Sequence, residues 1–515
     1  MKAQISVIEK PFRVAQQKFD QLCQKLESTA VLSMTHSEVE QRIQAEGMQV
    51  LCQLFQDHLD LRTLREQKSE AVLDSDGIQR QPNRRQSRQL ESVFGTVTVT
   101  RLAYSKKGAK SIHPLDAELN LPPEKYSHGL QRVAATEAAR GSYDEALEAV
   151  ESYTGGKIPK RQAEELMQRA ACDFEAFYAQ SVFEQTMSAE FLALSLDAKG
   201  IVMRHEDLRE QTRKAAQKNQ HKLEKRLCKG EKKNRKRMAT AATVYSVSPH
   251  PRTPGMVAKE CYPNDEKPAS PKPVGKRVWA SVEKEVETVV VEMFQEALQQ
   301  DPLKEKQWVA LVDGNKLQIR LLKAQAKQNQ VKLTIIVDII HVLEYLWKAA
   351  YAFFAAGSRE AQDWVSGKLF RILQGKSSLE AAGMRRKATH AQLPPERRKA
   401  VDDCADYLLN YKPYLRYHQY LGQGYPIATG VIEGVCRYLI KDRMDRTGAR
   451  WSLKGAEAIL KLRSLVSSGD FDAYWAFHES QEKRRHYSGI RKIFTTPTVS
   501  DSKVKKQDDD LQKVA

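Results

Sequence analysis

The chain lacks the marks of a secreted, membrane-embedded or metal-stapled protein. Its seven cysteines are scattered through 515 residues and no two stand as C-x-x-C. Neither a disulfide framework nor a zinc ribbon is indicated, and a reducing, cytoplasmic compartment fits. The opening MKAQISVIEKPFRVAQQKFD has no apolar core of the secretory-signal kind. No apolar run approaches the ~18 residues of a membrane helix; LWKAAYAFFAAG is too short and carries Lys348. The G-x-x-x-x-G-K-[ST] loop of nucleotide motors is missing. So is any internal repeat of fixed period. Acidic residues are in deficit: 83 Lys and Arg stand against 65 Asp and Glu, and 83 − 65 = +18. That surplus points to a polyanionic partner, nucleic acid ahead of a membrane surface, with a merely basic surface as the plainer alternative.

What remains is ordinary folding composition, 41% hydrophobic and 29% charged. Residues 1–74 read as a helical packing or dimerisation region. Ser37 and Glu40 in THSEVE fit a capping box, and Val39, Ile43, Val50, Leu54 and Phe55 recur at helical spacing. Residues 75–126 hold a basic stretch, QRQPNRRQSRQ, then ESVFGTVTVTRLAY, which alternates like a β-hairpin. Arg84 and Arg85 there are either a solvated loop or phosphate contacts. Residues 127–185 read as helix, Thr154-Gly155-Gly156 turn, and a second helix opened by Lys160 and Arg161. That is a helix-turn-helix-like, DNA-binding pattern which any αα-hairpin shares.

From residue 186 the pattern is α/β. FLALSLDAKG, RMATAATVYSVS, RVWASV, WVALVDG and LTIIVDIIH read as strands, alternating with amphipathic helices. Continuous apolar strands of this sort belong to a sheet covered on both faces and at least partly parallel. Residues 222–237 carry nine Lys/Arg against two Glu, including Lys232, Lys233, Arg235, Lys236 and Arg237. A proline-rich loop follows at 249–273. Residues 342–422 read as an inserted all-α block, 423–490 as the last part of the α/β region, and 491–515 as a disordered tail.

Three carboxylates stand at informative places. Asp197 ends the first apolar strand, and Asp313 ends a later one before Gly314. Glu433 lies in PIATGVIEGVCRYLIKDRM, where Thr429 can cap the helix and Glu433, Arg437 and Ile440 share a face. Phosphodiester cleavage needs the attacking oxygen activated and the leaving oxygen stabilised. Two divalent ions held by convergent carboxylates do both, and Mg²⁺ accepts such a set because it keeps several waters. Each acid alone also reads as a cap, a turn or a partner of a helix dipole. Asp338 and His341, in Asp338-Ile339-Ile340-His341, are either a helix cap with its first turn or a metal pair.

FGTVTVTRLAY, PLDAELNLP, YSHGLQRVAATEAARGSYDEA, SLDAKGIVM, VDGNK, VDIIHVLEYLWKAA, GVIEGVCRYLIKDRM and TGARWS together resemble the ISKra family of bacterial insertion-sequence transposases. These are DDE enzymes related to the Mutator-like group. The resemblance runs from about Leu90 to Tyr487 and implies a ribonuclease H-like mixed sheet as the catalytic core, 186–341 being its first part. It puts the catalytic and metal-binding acids on Asp197, Asp313 and Glu433, with Mg²⁺ (two ions, Mn²⁺ as substitute) as cofactor. Asp338 and His341 match an auxiliary D-x-x-H motif, and Trp451 a tryptophan that packs on DNA or on the core. The implied partners are double-stranded DNA, both terminal inverted repeats and target, and further copies of the chain as a homodimer or larger assembly. No membrane is implied, and the expected location is the cytoplasm, at the nucleoid. Arg437, Lys441, Arg443, Arg446 and Arg450 would lie near the scissile strand. Relatives often carry a Cys-pair element ahead of the hairpin, and this chain has none.

Overall fold

Thr35 begins the longest helix among the described residues, His36–Arg65. The capping box falls two residues earlier than Ser37 and Glu40, at Thr35 and Glu38. The Thr35 hydroxyl accepts from the Glu38 N–H, and the Glu38 carboxylate accepts from Thr35 N at 2.7 Å. T-x-x-E and S-x-x-E overlap in this stretch, and Thr35 is the residue with extended backbone, which a cap requires. The computed structural model describes residues 11–180, 190–218, 235–260, 270–446 and 448–493. The described residues divide into two compact units, one from 11–134, Glu145–Pro159 and 475–493, the other from Ala135–Asp144 and the described part of 160–474.

In the first unit the long helix packs on a hairpin of β2 (Gln79–Ser92) and β3 (Gly95–Ser105). Alternation in β3 sends Val97 and Val99 inward, where they meet Leu59, Leu90 and Leu121. The basic stretch is not a loop ahead of the hairpin but its first strand. Its arginines are partly spoken for: Arg80 pairs with Asp74 at 2.5 Å and Arg85 with Glu66 at 3.3 Å, and on β3 buried Arg101 pairs with Asp116 at 2.8 Å. Arg84 remains exposed. β1 (Ala71–Leu73) extends the sheet, and its outer partner is β9 (Arg491–Ile493), giving the order β3-β2-β1-β9. The expected disordered tail therefore begins with a strand, because an open edge at β1 offers unpaired backbone groups. Residues 494–515 lie outside the described residues.

The helix-turn-helix-like segment does not stay within one unit. Its turn belongs to the first, where Gly155 N–H donates to Val93 O at 2.9 Å. Its second helix, Lys160–Ala170, belongs to the second unit and packs on Leu453–Ser468. Amphipathic spacing told which faces are apolar but not what each face covers.

The second unit is mixed α/β. Its sheet has the order β6-β5-β4-β7-β8, with β4 at Phe191–Val202, β5 at Lys236–Val247, β6 at Val274–Ser281, β7 at Gln307–Val312 and β8 at Leu333–Val337. β4, β5 and β6 pair antiparallel; β4, β7 and β8 pair parallel. The helix Val286–Gln300 links β6 to β7, and Lys316–Gln328 links β7 to β8. After β8 come helices only: Ile339–Ala350, Arg359–Leu373, Ser377–His390, Pro395–Asn410 and Tyr417–Gly422, ahead of the helix Gly430–Val435. No described helix is long and apolar enough to cross a membrane.

Two glycines test this packing in opposite directions. A Cβ at Gly155 would stand 2.5 Å from Phe94 O, whereas one at Gly47, inside the long helix, meets nothing within 4 Å. Gly155→Ala should lower stability by about 1–3 kcal/mol, and Gly47→Ala should raise it by up to about 1 kcal/mol. Thermal unfolding of the two variants beside the parent checks both signs.

Candidate metal centre

The parallel strands bring three acids to one level. The last β4–β7 pair is Ser195↔Leu311 and the last β7–β8 pair is Val312↔Val337. Asp197 and Asp313 each lie two residues beyond the first pair; Asp313 and Asp338 each lie one beyond the second. Asp338 N–H donates to Val312 O at 2.9 Å, so the ladder runs right up to the acids. Asp197 does not end its strand, as the apolar run suggested: β4 continues to Val202. What ends near Asp197 is the pairing with β7, while β5 stays bonded through Val202↔Lys236. A crevice at the carboxyl ends of parallel strands is where such sheets bind ligands.

Each acid has taken nearby donors. Asp197 accepts from Ala198 N at 2.6 Å and pairs with the Lys199 ammonium at 2.8 Å. Burial opposes the Lys199 charge, but the hydrogen bond to Asp197 and the negative charge around it raise its pKa. Burial, then Asp197, push the Cys436 thiol up, so it stays protonated and donates to that carboxylate. Asp313 accepts from Asn315 N at 2.8 Å, and Asn315 caps Lys316–Gln328. Asp338 is fully buried; it caps Ile339–Ala350 by accepting from Ile340 N at 2.9 Å. Burial pushes its carboxyl up, against the hydrogen bonds that Thr429 and Ile340 give it.

Thr429 stands at the N-terminus of Gly430–Val435 but does not cap it with its side chain. Its hydroxyl donates to Asp338 Oδ2 and lies 3.4 Å from Glu433 Oε1. Asp338, His341 and Glu433 offer one ligand atom each, all within 4.8 Å of one another. The expected trio of Asp197, Asp313 and Glu433 is not the set that gathers at that radius. Lys199 and Cys436 stand between Asp197 and Glu433 and feel both charges.

Residues that sequence reasoning missed hold this centre in place. Tyr407 and Tyr417 donate their hydroxyls to Asp313 O at 2.9 Å and Val337 O at 2.6 Å, and Tyr411 donates to Gly314 O. Gly314 has φ +97°, and a Cβ there would meet the Tyr407 and Tyr411 rings at 3.2 Å. Tyr407 also stacks on Tyr345, with centroids 4.1 Å apart. Burial raises its phenol's pKa and Asp313 adds to the shift, so it remains a donor. The signal was visible as the tyrosine run DYLLNYKPYLRYHQY, but a run of tyrosines does not name what it will touch.

Beyond Glu433 the helix widens into a π turn, Cys436–Lys441. That shifts the register, so Glu433 and Arg437 are exposed while Ile440 is buried; the three do not share a face. Arg463 satisfies the loosened carbonyls, donating to Leu439 O at 2.8 Å and to Tyr438 O. π turns concentrate at functional sites.

The basic residues divide. Arg437, Lys441, Arg446, Arg450, Lys236 and Arg161 are exposed. Lys160 is exposed but paired with Asp144 at 2.6 Å. Arg235 is half-buried, and Arg237 donates to Val282 O at 2.9 Å, a structural contact. Arg443 is buried, lies over the rings of Tyr143 and Trp451, and donates to Ala138 O at 3.1 Å, so it faces no ligand. Trp451 is core: its indole donates to Met444 O at 3.1 Å and its backbone bonds to the end of β4 at Val202 O and Arg204 N. The aromatic ring outweighed any surface role because burying it removes a large apolar area from water. Lys232 and Lys233 lie outside the described residues.

No protein-family model and no curated protein matches this chain.

The tyrosine hydroxyls are a testable prop. Tyr407→Phe and Tyr417→Phe each remove a donor from a buried carbonyl, which should cost about 1–2 kcal/mol apiece in chemical denaturation. Tyr414→Phe, whose ring lies under the Lys323 ammonium and whose hydroxyl is not among those that hold these carbonyls, serves as the comparison and should fall within about 0.5 kcal/mol of the parent.

Proposed function

We propose that this chain is a DNA transposase of the DDE type, built on a ribonuclease H-like core and similar to the ISKra group. The observation that carries the reading is the level alignment of Asp197, Asp313 and Asp338 on three parallel strands, with Glu433 beside Asp338. The five-stranded mixed sheet and the helical block between β8 and the Glu433 helix agree with it.

The residues present fit a divalent cation. Their donors are carboxylate oxygens where β4 loses its pairing with β7, just past the end of β7, and on the helix Gly430–Val435, and Asp197 already faces a cation, the Lys199 ammonium. Asp197, Asp313 and Glu433 would hold Mg²⁺, which on binding supplies activation of a water and stabilisation of the leaving oxygen. The chain's own part is placement. β4 and β7 fix two carboxylates on rigid backbone, and the tyrosine hydroxyls hold the Asp313–Gly314 corner. Exposed Arg437 and Lys441, beyond Glu433, bind phosphates of the scissile strand. Water cleaves the phosphodiester at a transposon end and leaves a 3′-hydroxyl. That hydroxyl then attacks target DNA in line, one P–O bond forming as another breaks, with no covalent protein intermediate.

A second reading, a DNA-binding regulator without chemistry, draws on one observation: Lys199 neutralises Asp197. The two readings separate on DNA carrying the terminal inverted repeats that flank the coding region. As a transposase, the chain nicks that DNA in Mg²⁺. Asp197→Asn, Asp313→Asn and Glu433→Gln should each lower the nicking rate by a factor of about 10³ or more, with DNA affinity within about threefold of the parent. Parent-like nicking by Asp197→Asn would remove that residue from the mechanism. Binding without nicking by the parent chain would favour the regulator.

A further inference from the structure

The trio Asp338, His341 and Glu433 differs from the all-oxygen set in one atom type, the imidazole nitrogen. We propose that these three side chains form a divalent-cation site of mixed oxygen–nitrogen character, adjoining the centre described above and sharing Glu433 with it. The site takes Mn²⁺, Co²⁺ or Zn²⁺ ahead of Mg²⁺. The inference rests on the transposase reading only for what the ion would serve; the site itself rests on the geometry of the three residues.

Three observations carry it. The ligand atoms already lie within 4.8 Å of one another. Ligands on one ion stand about 3 Å apart, a difference that small side-chain rotations cover. The placement is built into the helix: Asp338 is the N-cap of Ile339–Ala350 and His341 lies three residues on, so both project from its first turn. The Asp338 ligand is also oriented from behind, since Ile340 N and the Thr429 hydroxyl fix its carboxyl. The Glu344 carboxylate lies 3.6 Å from His341 Nδ1, within reach of a carboxylate–histidine pair once Nε2 meets an ion. Imidazole suits Mn²⁺, Co²⁺ and Zn²⁺, whereas Mg²⁺ prefers oxygen in a near-ideal octahedron.

The test uses the full chain and Mn²⁺ as the probe, read by pulsed electron paramagnetic resonance. Bound Mn²⁺ should show modulation from a ¹⁴N nucleus. His341→Gln should abolish it and weaken Mn²⁺ binding about tenfold or more, and Mg²⁺ should compete with at least tenfold lower affinity. Glu433 is exposed, so Glu433→Gln should fold as the parent does and provide an independent loss of about tenfold in Mn²⁺ affinity. Asp197→Asn should keep the ¹⁴N signal while losing nicking, so failure of this site and failure of the transposase reading give different results. A parent chain whose Mn²⁺ shows no nitrogen coupling would overturn the proposal, as would a His341→Gln signal unchanged from the parent.

Discussion

Two ladders of parallel hydrogen bonds, β4 to β7 and β7 to β8, decide where the acids of this chain come together. Asp197, Asp313 and Asp338 are far apart in sequence, and nothing in their side chains would gather them. Backbone pairing does so, because the register ties Ser195 to Leu311 and Val312 to Val337. A slip of one residue would turn each acid to the other face of the sheet and bury a charge among apolar side chains. The hydrophobic run of each strand therefore sets the geometry of the acids that follow it.

Such a gathering is electrostatically uncomfortable, and the second unit is arranged around that fact. Lys199 and Cys436 occupy Asp197, Asn315 occupies Asp313, and Thr429 and Ile340 occupy Asp338. The helices after β8 hold the corners from the far side. Tyr407, Tyr411 and Tyr417 reach backbone carbonyls at the ends of β7 and β8, leaving no freedom for Gly314 to move. Arg463 serves the Glu433 helix similarly by taking the carbonyls its π turn releases. The inserted helices are thus part of the centre's support as well as a connection.

Strands and helices of the second unit were legible in the sequence because their apolar runs are long and unbroken. The location of the acids at strand ends followed from the same runs, although Asp197 proved to lie inside a strand that merely loses one partner. The closest cluster was half legible: Asp338 and His341 read as either a helix start or a metal pair, and only the third dimension brings Glu433 to them. Local chemistry misled where two registers were equally good, as at Thr35 and Ser37. It misled again where an arginine or tryptophan follows a functional helix, since Arg443 and Trp451 are buried against each other rather than presented outward. Side chains that act on backbone atoms, such as the tyrosines, show as a run in the sequence but do not name the carbonyls they will meet.

The central claim is that acids spread over more than two hundred residues converge on one cation-binding centre. Affinity cleavage measures this directly: the full chain is loaded with Fe²⁺ in place of the resident ion, treated with ascorbate and peroxide, and the cut positions are read by mass spectrometry. The account predicts backbone cuts clustered near residues 197, 313, 338 and 433, suppressed together by excess Mn²⁺. Cuts confined to one of these segments, or scattered over the exposed basic surface, would contradict it.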